Sequence, residues 1–543
     1  MAARNLLWIM CDQLRFDYLS CAGHKSLATP HIDRLAARGL RFTRAYVQSP
    51  VCGPSRMSFY TGRYMRSHGA NWNQFPLRVD EPTLGDALKA LGVRNVLVGK
   101  THMRADAEGM ERLGIDRRSD VGLHVSQCGF EPFERDDGLH PSASGGGATR
   151  YDDHLRARGY GGPNPWEDWA NAGEGEDGGL ANGWLLGHAD KAARVEEAES
   201  ETPYMTRRAM EFIAGAKADG RPWCLHLSYI KPHWPYIAPA PYHALYGAGD
   251  VQPAVRAEAE RADPHPVYRA FMDLRVSRNM ARDDLRARVI PAYMGLIRQI
   301  DDQLGALFAF LDREGLAEST MIVFTSDHGD YLGDHWLGEK DLFHDCSVRV
   351  PLIVVDPSPA ADATRGSTCD RLVEAIDLAP TFVDYFGGTP RPNVMEGRSL
   401  LPLLHGRPVE SWRRYAVSEY DYSMLEVRSA LGLGPRESRL FMLFDGRWKL
   451  IHAPGFRPML FDLDADPGEL VDLGADPAFA PEVARLKELL LDWALRDHAR
   501  VTMDDETILA YGPDTQLARG VLIGYADEEE VARARAAYGL PPA

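Results

Sequence analysis

Unbroken apolar runs alternate along the chain with stretches of helical period. After Asn5, residues 6–10 form a continuous apolar run, as expected of a central strand covered on both faces. The stretch 29–39 opens on Thr29-Pro30 and closes on Gly39, so a hydroxyl N-cap, a proline at the first helical position and a glycine stop predict a helix. Helix then strand recurs at 86–91 and 93–98, and again at 203–218 and 223–230. A long amphipathic helix is predicted over 285–313, with Met294, Ile297, Leu304, Leu307, Phe308 and Leu311 near one face. The strongest strand pattern, 321–326, follows, then a strand at 350–355 and a helix at 372–386. This alternation predicts an α/β fold, a doubly wound mixed sheet with helices on both faces.

Two regions break the rhythm. From 104 to 200 the pattern gives way to Gly, Asp, Trp and charged residues, and a long irregular stretch of this kind is expected to be a functional loop, here a rim or lid. After about 410 short alternating segments with turn signals predict a smaller antiparallel sheet with a packed helix at 480–496. The expected organisation is a main unit over 1–410 carrying the 104–200 insertion, a small α+β unit over 411–500, and a tail over 501–543 that packs on a neighbour.

With 543 residues and 45% hydrophobic content the chain can bury a large core. A formal net charge of -17 argues against nucleic-acid and acidic-membrane partners, but a small anionic ligand needs only a local cationic pocket. Seven scattered cysteines without a CxxC pair indicate neither a disulfide framework nor a zinc site. The apolar run at 6–10 is too short for a signal-peptide core and leads straight into Cys11-Asp12-Gln13, so a cytoplasmic location is expected.

In open α/β sheets ligands bind beyond the carboxyl ends of the strands. Four predicted strands end in polar groups of one theme: Asp12 with Gln13, Lys100 with His102, His233, and Asp327 with His328. Each alone has a structural reading as a turn residue or a hydrogen-bonded histidine; together they point to a site. Carboxylate, amide and imidazole donors suit one hard or borderline divalent ion, Ca2+ or Mn2+, better than structural zinc. Lys100, His102, His233 and Lys340 are the cationic and proton-transfer candidates. A short helix predicted to start near Cys52 and stop at Gly62 places the cysteine where unpaired N–H groups attract anions, and Arg56 adds a fixed positive fork suited to oxyanions. On these residues alone Cys52 is either a buried apolar thiol or an activated thiolate.

Cys52, Pro54, Ser55 and Arg56, followed by Thr61-Gly62-Arg63-Tyr64, resemble the Cys-x-Pro-Ser-Arg signature of the type I sulfatases of the alkaline phosphatase superfamily. The resemblance implies an alkaline-phosphatase-like fold and oxidation of Cys52 by a formylglycine-generating maturation enzyme, the hydrated aldehyde being the nucleophile. It also implies a metal held by Asp12, Gln13, Asp327 and His328 with residue 52. His233 is then the leaving-group acid with Lys340 as helper, His102 the base that breaks the sulfated diol, Lys100 its support, and Asn73 a substrate contact. Gln13 and His328 depart from the usual sulfatase ligands and are similar to those of phosphonate monoester hydrolases and choline sulfatases. Gly99-Lys100-Thr101-His102 instead resembles the Gly-Lys-x-His of sulfatases, because phosphonate monoester hydrolases tend to carry Tyr and Thr at the two functional positions.

The expected function is therefore hydrolysis of small sulfate monoesters, aryl sulfates foremost, with Trp166, Trp169 and Trp184 either stacking on the ring or forming plain core. The alternatives are a phosphonate monoester or phosphodiester hydrolase, a choline sulfatase, or a noncatalytic metal-binding scaffold with unmodified Cys52. A homo-oligomer, dimer or tetramer, is expected through the tail.

Overall fold

A computed structural model describes residues 4–73 and 75–542. Strand β1 (Asn5–Asp12) is buried at every position, as its apolar run requires. It lies inside a nine-stranded sheet whose other members are β2 (Leu40–Tyr46), β3 (Arg94–Gly99), β4 (Glu131–Arg135), β5 (Trp223–Pro232), β6 (Thr320–Ser326), β7 (Arg349–Val355), β8 (Ser367–Cys369) and β9 (Val373–Glu374). The order is β8-β2-β7-β6-β1-β5-β3-β4, with β9 also on β2. The strands from β6 to β4 are mutually parallel, whereas β7 runs antiparallel to both β6 and β2. This is the mixed, doubly wound sheet expected.

The pleat sends alternate β1 residues to two cores. Leu6, Trp8 and Met10 join α2 (Cys52–Thr61) and α5 (Leu378–Tyr385) on one face. Leu7, Ile9 and Cys11 meet α1 (Pro30–Arg38), α3 (Glu201–Asp219) and α4 (Asp283–Arg313) on the other. A separate antiparallel sheet runs in sequence order through β10 (Ala416–Asp421), β11 (Arg439–Phe444), β12 (Trp448–His452) and β13 (Met459–Asp462). Helix α6 (Ala480–Ala494) seats Leu486, Leu490 and Trp493 on its Val417, Leu443 and Leu450.

Three departures from the sequence reading have local causes. Strand β2 was not anticipated: its Leu-Arg-Phe-Thr-Arg-Ala-Tyr pattern alternates only in part, and a bulge between Phe42 and Ala45 interrupts the pairing. The 104–200 stretch is not structureless. It contributes β4 at the sheet edge, where charged residues replace apolar alternation, and buries Tyr151, Leu155 and Trp166. The helix expected at 372–386 starts late, because Val373 and Glu374 pair with Ala45 and Tyr46 before the chain turns into α5. Among the described residues no helix is long and apolar enough to cross a membrane.

Candidate active site

Parallel register brings the strand ends together. Cys11 of β1 is level with Ser326 of β6, and Asp12 with Pro232 of β5, so Asp12, Asp327 and His233 leave the sheet at one edge. Gly99 pairs with Ser228 at the end of β3; its φ is +107°, and a Cβ there would lie 1.9 Å from the Ser228 carbonyl oxygen. Only glycine can turn the chain there to deliver Lys100. Helix α2 begins at the buried Cys52 and ends at Gly62, with φ +68°.

The ligand atoms of Asp12, Cys52, Asp327 and His328 all lie within 4.8 Å of one another, and all four residues are buried. His328 Nε2 is 3.0 Å from Cys52 Sγ and 3.8 Å from an oxygen of each carboxylate. His328 Nδ1 lies 2.9 Å from the Gly329 carbonyl oxygen, which can only accept, so Nδ1 carries a proton and Nε2 is the nitrogen that faces the cluster. Burial pushes His328 down, but Asp327 and Cys52 outweigh it and raise it to about 9. The cluster thus draws a cation, which is the demand a divalent metal meets. Two carboxylates and one imidazole beside Cys52 make a donor set that could hold a divalent ion.

Arg56 differs from the sequence reading. Its guanidinium is fully buried and faces inward: Nε donates to Asp327 Oδ2 at 2.8 Å, Nη2 to Asp12 Oδ2 at 3.2 Å, and Nη1 to Ser228 Oγ at 2.7 Å and the Lys100 carbonyl at 3.0 Å. With those bonds made it positions the two carboxylates and has no fork to offer an oxyanion.

Lys100 Nζ lies 2.5 Å from Asp12 Oδ2. Lys340 Nζ reaches Cys52 Sγ at 3.5 Å, Gln13 Oε1 at 3.1 Å and His233 Nε2 at 3.3 Å. Burial raises the Cys52 thiol, yet Lys340, Lys100 and His328 together hold it well below the ordinary thiol range, helped by a hydrogen bond with His102. His102 has φ +56°, and its N–H and that of Thr101 both donate to Asp137 Oδ1 at 2.9 Å. Asp137, pushed up by burial, is brought down to about 2 by Arg135 and these bonds.

Asn73 Oδ1 accepts from the Gly53 N–H at 2.7 Å. Its oxygen is thus occupied by the first turn of α2, and its amide N–H group is what remains for a ligand. Gln13, with φ +65°, is held by Asp330 and Tyr236. Its amide donates to Asp330 Oδ2 at 2.5 Å, and Tyr236 donates to the same oxygen at 2.7 Å, so Gln13 Oε1 is turned to Lys340. Asp330, Tyr236, Asp137 and Ser228 were missed as support residues; Asp330, on the loop of Asp327 and His328, was the one open to suspicion. Trp166 is core, its indole N–H donating to Glu201 at 2.8 Å, while Trp184 borders a cleft.

The Sulfatase family model matches residues 4–388, and the model for the N-sulphoglucosamine sulphohydrolase C-terminal region matches 333–496. The chain is 33% identical to the multifunctional alkaline phosphatase superfamily protein PehA of Trinickia caryophylli, covering 93% of this chain and 97% of that one. It is 26% identical to the arylsulfatase of Clostridium perfringens, covering 90% and 93%. Among solved structures it resembles the phosphonate monoester hydrolase SpPMH from Silicibacter pomeroyi, with TM-score 0.78, 29% identity and coverage of 92% and 96%.

Proposed function

The chain belongs to the type I sulfatase family of the alkaline phosphatase superfamily, whose members act on anionic esters, and on that premise we propose a formylglycine-dependent sulfate monoester hydrolase with aryl sulfates as its main substrates. The observation that carries this reading is the convergence of Lys100 and Lys340 on residue 52, with Lys340 Nζ at 3.5 Å from Sγ. Two ammonium groups beside the nucleophile position suit the nonbridging oxygens of a tetrahedral anion.

Conversion of Cys52 by a maturation enzyme gives position 52 a hydrated aldehyde with two hydroxyls. One attacks sulfur as the S–O bond to the phenol breaks; loss of the other hydroxyl's proton then expels sulfate and restores the aldehyde, dividing the transfer into two easier steps. A divalent ion held by Asp12, Gln13, Asp327 and His328 would polarise the ester and ease ionisation of the attacking hydroxyl. Arg56 keeps Asp12 and Asp327 aimed at one point. Lys340 carries the proton that the departing oxygen needs, and His233 Nε2, which accepts from Lys340 at 3.3 Å, passes it on. A positioned acid of this kind contributes roughly 10²–10⁴ in rate. His102, anchored through Asp137, takes the proton of the second hydroxyl.

A second reading, a phosphonate monoester or phosphodiester hydrolase using the same residues, is favoured by Gln13 and His328 and by the likeness to SpPMH. The experiment that separates the two is kcat/KM for an aryl sulfate against the matching aryl phosphonate monoester, on one metal-loaded preparation. Peptide mass first establishes conversion, which exchanges sulfur and two hydrogens for oxygen and makes the Cys52 peptide lighter by about the mass of one water molecule. Preference for sulfate supports the main reading; preference for phosphonate replaces it with the second. Turnover retained by Cys52→Ala would exclude the aldehyde mechanism for either.

A further inference from the structure

A cleft of about 210 Å3 is bordered by Trp184, Leu185, Trp234, Tyr236, Met280 and Glu339. Three of these are tied to site residues. Trp234 follows His233 in the chain, with ring centroids 4.5 Å apart. Glu339 precedes Lys340, its carboxylate 3.9 Å from Nζ. The Tyr236 hydroxyl shares Asp330 Oδ2 with the Gln13 amide. The walls of the cleft therefore neighbour His233 and Lys340, the pair to which the proposed function gives the departing oxygen. Resting on the hydrolase reading above, we propose that this cleft is the leaving-group pocket and that it selects esters of a single aromatic ring bearing no negative charge.

Size, wall chemistry and charge each contribute. Pockets for drug-sized ligands run from about 300 to 1,000 Å3, so 210 Å3 takes one ring and little more. Trp184 and Trp234 stand edge to face with centroids 5.8 Å apart, and Trp184 is fixed by its indole N–H donating to Glu167 at 2.9 Å. Preset aromatic walls bind a planar ring with little loss of rotamer freedom. Burial raises Glu339, the acidic residue among the lining, to about 7, and no Lys or Arg stands among the described lining residues, so a carboxylate or second sulfate on the ring would lose water without gaining a cation. The walls come from separate segments, Trp184 from the 104–200 stretch, Trp234 from beyond β5 and Met280 from the helix Arg275–Met280. Selectivity is thus carried by residues outside the sheet edge that supplies the chemistry.

The test is the ratio of kcat/KM for 4-nitrophenyl sulfate to that for trifluoroethyl sulfate, which share the sulfate group and differ in the ring. Trp184→Ala should lower this ratio at least tenfold, chiefly through KM, and Trp184→Phe should restore most of it. Leu185→Gln, at a half-exposed position, should lower it severalfold and serves as the second variant if Trp184→Ala does not fold. Glu339→Gln should raise 4-carboxyphenyl sulfate relative to 4-nitrophenyl sulfate severalfold. An unchanged ratio in both Trp184→Ala and Leu185→Gln, or equal losses on ring and ringless esters, overturns the pocket. If the parent enzyme cleaves only phosphonate monoesters, the sulfate reading fails by itself, and the same comparison of aryl with alkyl phosphonates decides the pocket.

Discussion

Lys340 Nζ donates to His233 Nε2 across 3.3 Å, and the second imidazole nitrogen of His233 donates to the Trp234 carbonyl at 2.7 Å. Burial and the neighbouring Lys340 ammonium bring His233 down to about 4, whereas Lys340, despite its own burial, is raised by Cys52 and Glu339. In the free site at neutral pH the proton of the pair therefore belongs to the lysine.

That assignment makes Lys340→Met more damaging the worse the leaving group. For alkyl sulfates kcat should fall by roughly 10²–10⁴, the usual worth of a positioned acid, and for nitrophenyl sulfate far less. A plot of log kcat against leaving-group pKa should steepen in the variant. An unaltered slope would mean that Lys340 holds the anion without supplying the proton.

Arg56 links Asp12 and Asp327 through separate nitrogens, a span that one ammonium group cannot reproduce. Arg56→Lys should therefore weaken metal affinity by roughly 10–100-fold, the common cost of losing a group that orients ligands, read by metal titration of the purified protein. Arg56→Ala leaves two buried carboxylates without their partner and should lower stability by about 3–5 kcal/mol, read by denaturant unfolding of the metal-free form. A metal affinity unchanged in Arg56→Lys would return Arg56 to the role of an anion fork.

Much of this site was legible because its chemistry hangs on the best-defined elements. Asp12 and Asp327-His328 end apolar runs that can only be central strands, and the helix from Cys52 is bounded by proline and glycine signals. Three features escaped. β4 is an edge strand whose Glu-Pro-Phe-Glu-Arg carries no alternation. The direction of Arg56 is set by Asp327, 271 residues away, and the pose of Gln13 by Asp330, 317 residues away, so neither has a local cause in the sequence. The aromatic walls of the cleft come from the stretch with the least periodicity, where composition offered stacking and core as equal readings.

Outside the site, His68 should couple stability to acid. Its Nδ1 accepts from the Ala70 N–H at 3.2 Å, so Nε2–H donates to Ser58 Oγ at 3.0 Å and the ring is held neutral. Burial, with Arg63 and Arg78, brings it down to about 3, against an ordinary value near 6.5 in the unfolded chain. Between these values the unfolded state binds the proton and the folded state does not, so the contribution is present above pH 6.5 and is lost as pH falls towards 3. His68→Gln keeps an acceptor and a donor but no titration, and should flatten the pH dependence of unfolding free energy over that window. A slope identical to the parent's would show that His68 is not the group responsible.

The chain beyond Val501, whose carbonyl accepts from Asn393 at 3.1 Å, packs largely on itself. Arg535 donates to the Leu517 carbonyl at 3.1 Å, and Leu517 and Val531 are its buried apolar residues, while Leu509 and Ile523 stand 85% and 87% exposed. Large apolar side chains this exposed are what an interaction surface would bury. A second copy of the chain is the partner expected, since identical tails related by a two-fold axis bury the same residues on both sides. Deleting the segment after Val501 should reduce the mass measured by sedimentation equilibrium to that of one chain. Leu509→Glu with Ile523→Glu should do the same while leaving aryl ester turnover per chain in place, because the clustered catalytic candidates come from the sheet edge, α2 and the Lys340 loop. A full-length protein that is already monomeric, or a truncated one that keeps its assembly, would remove the tail from any role in oligomerisation.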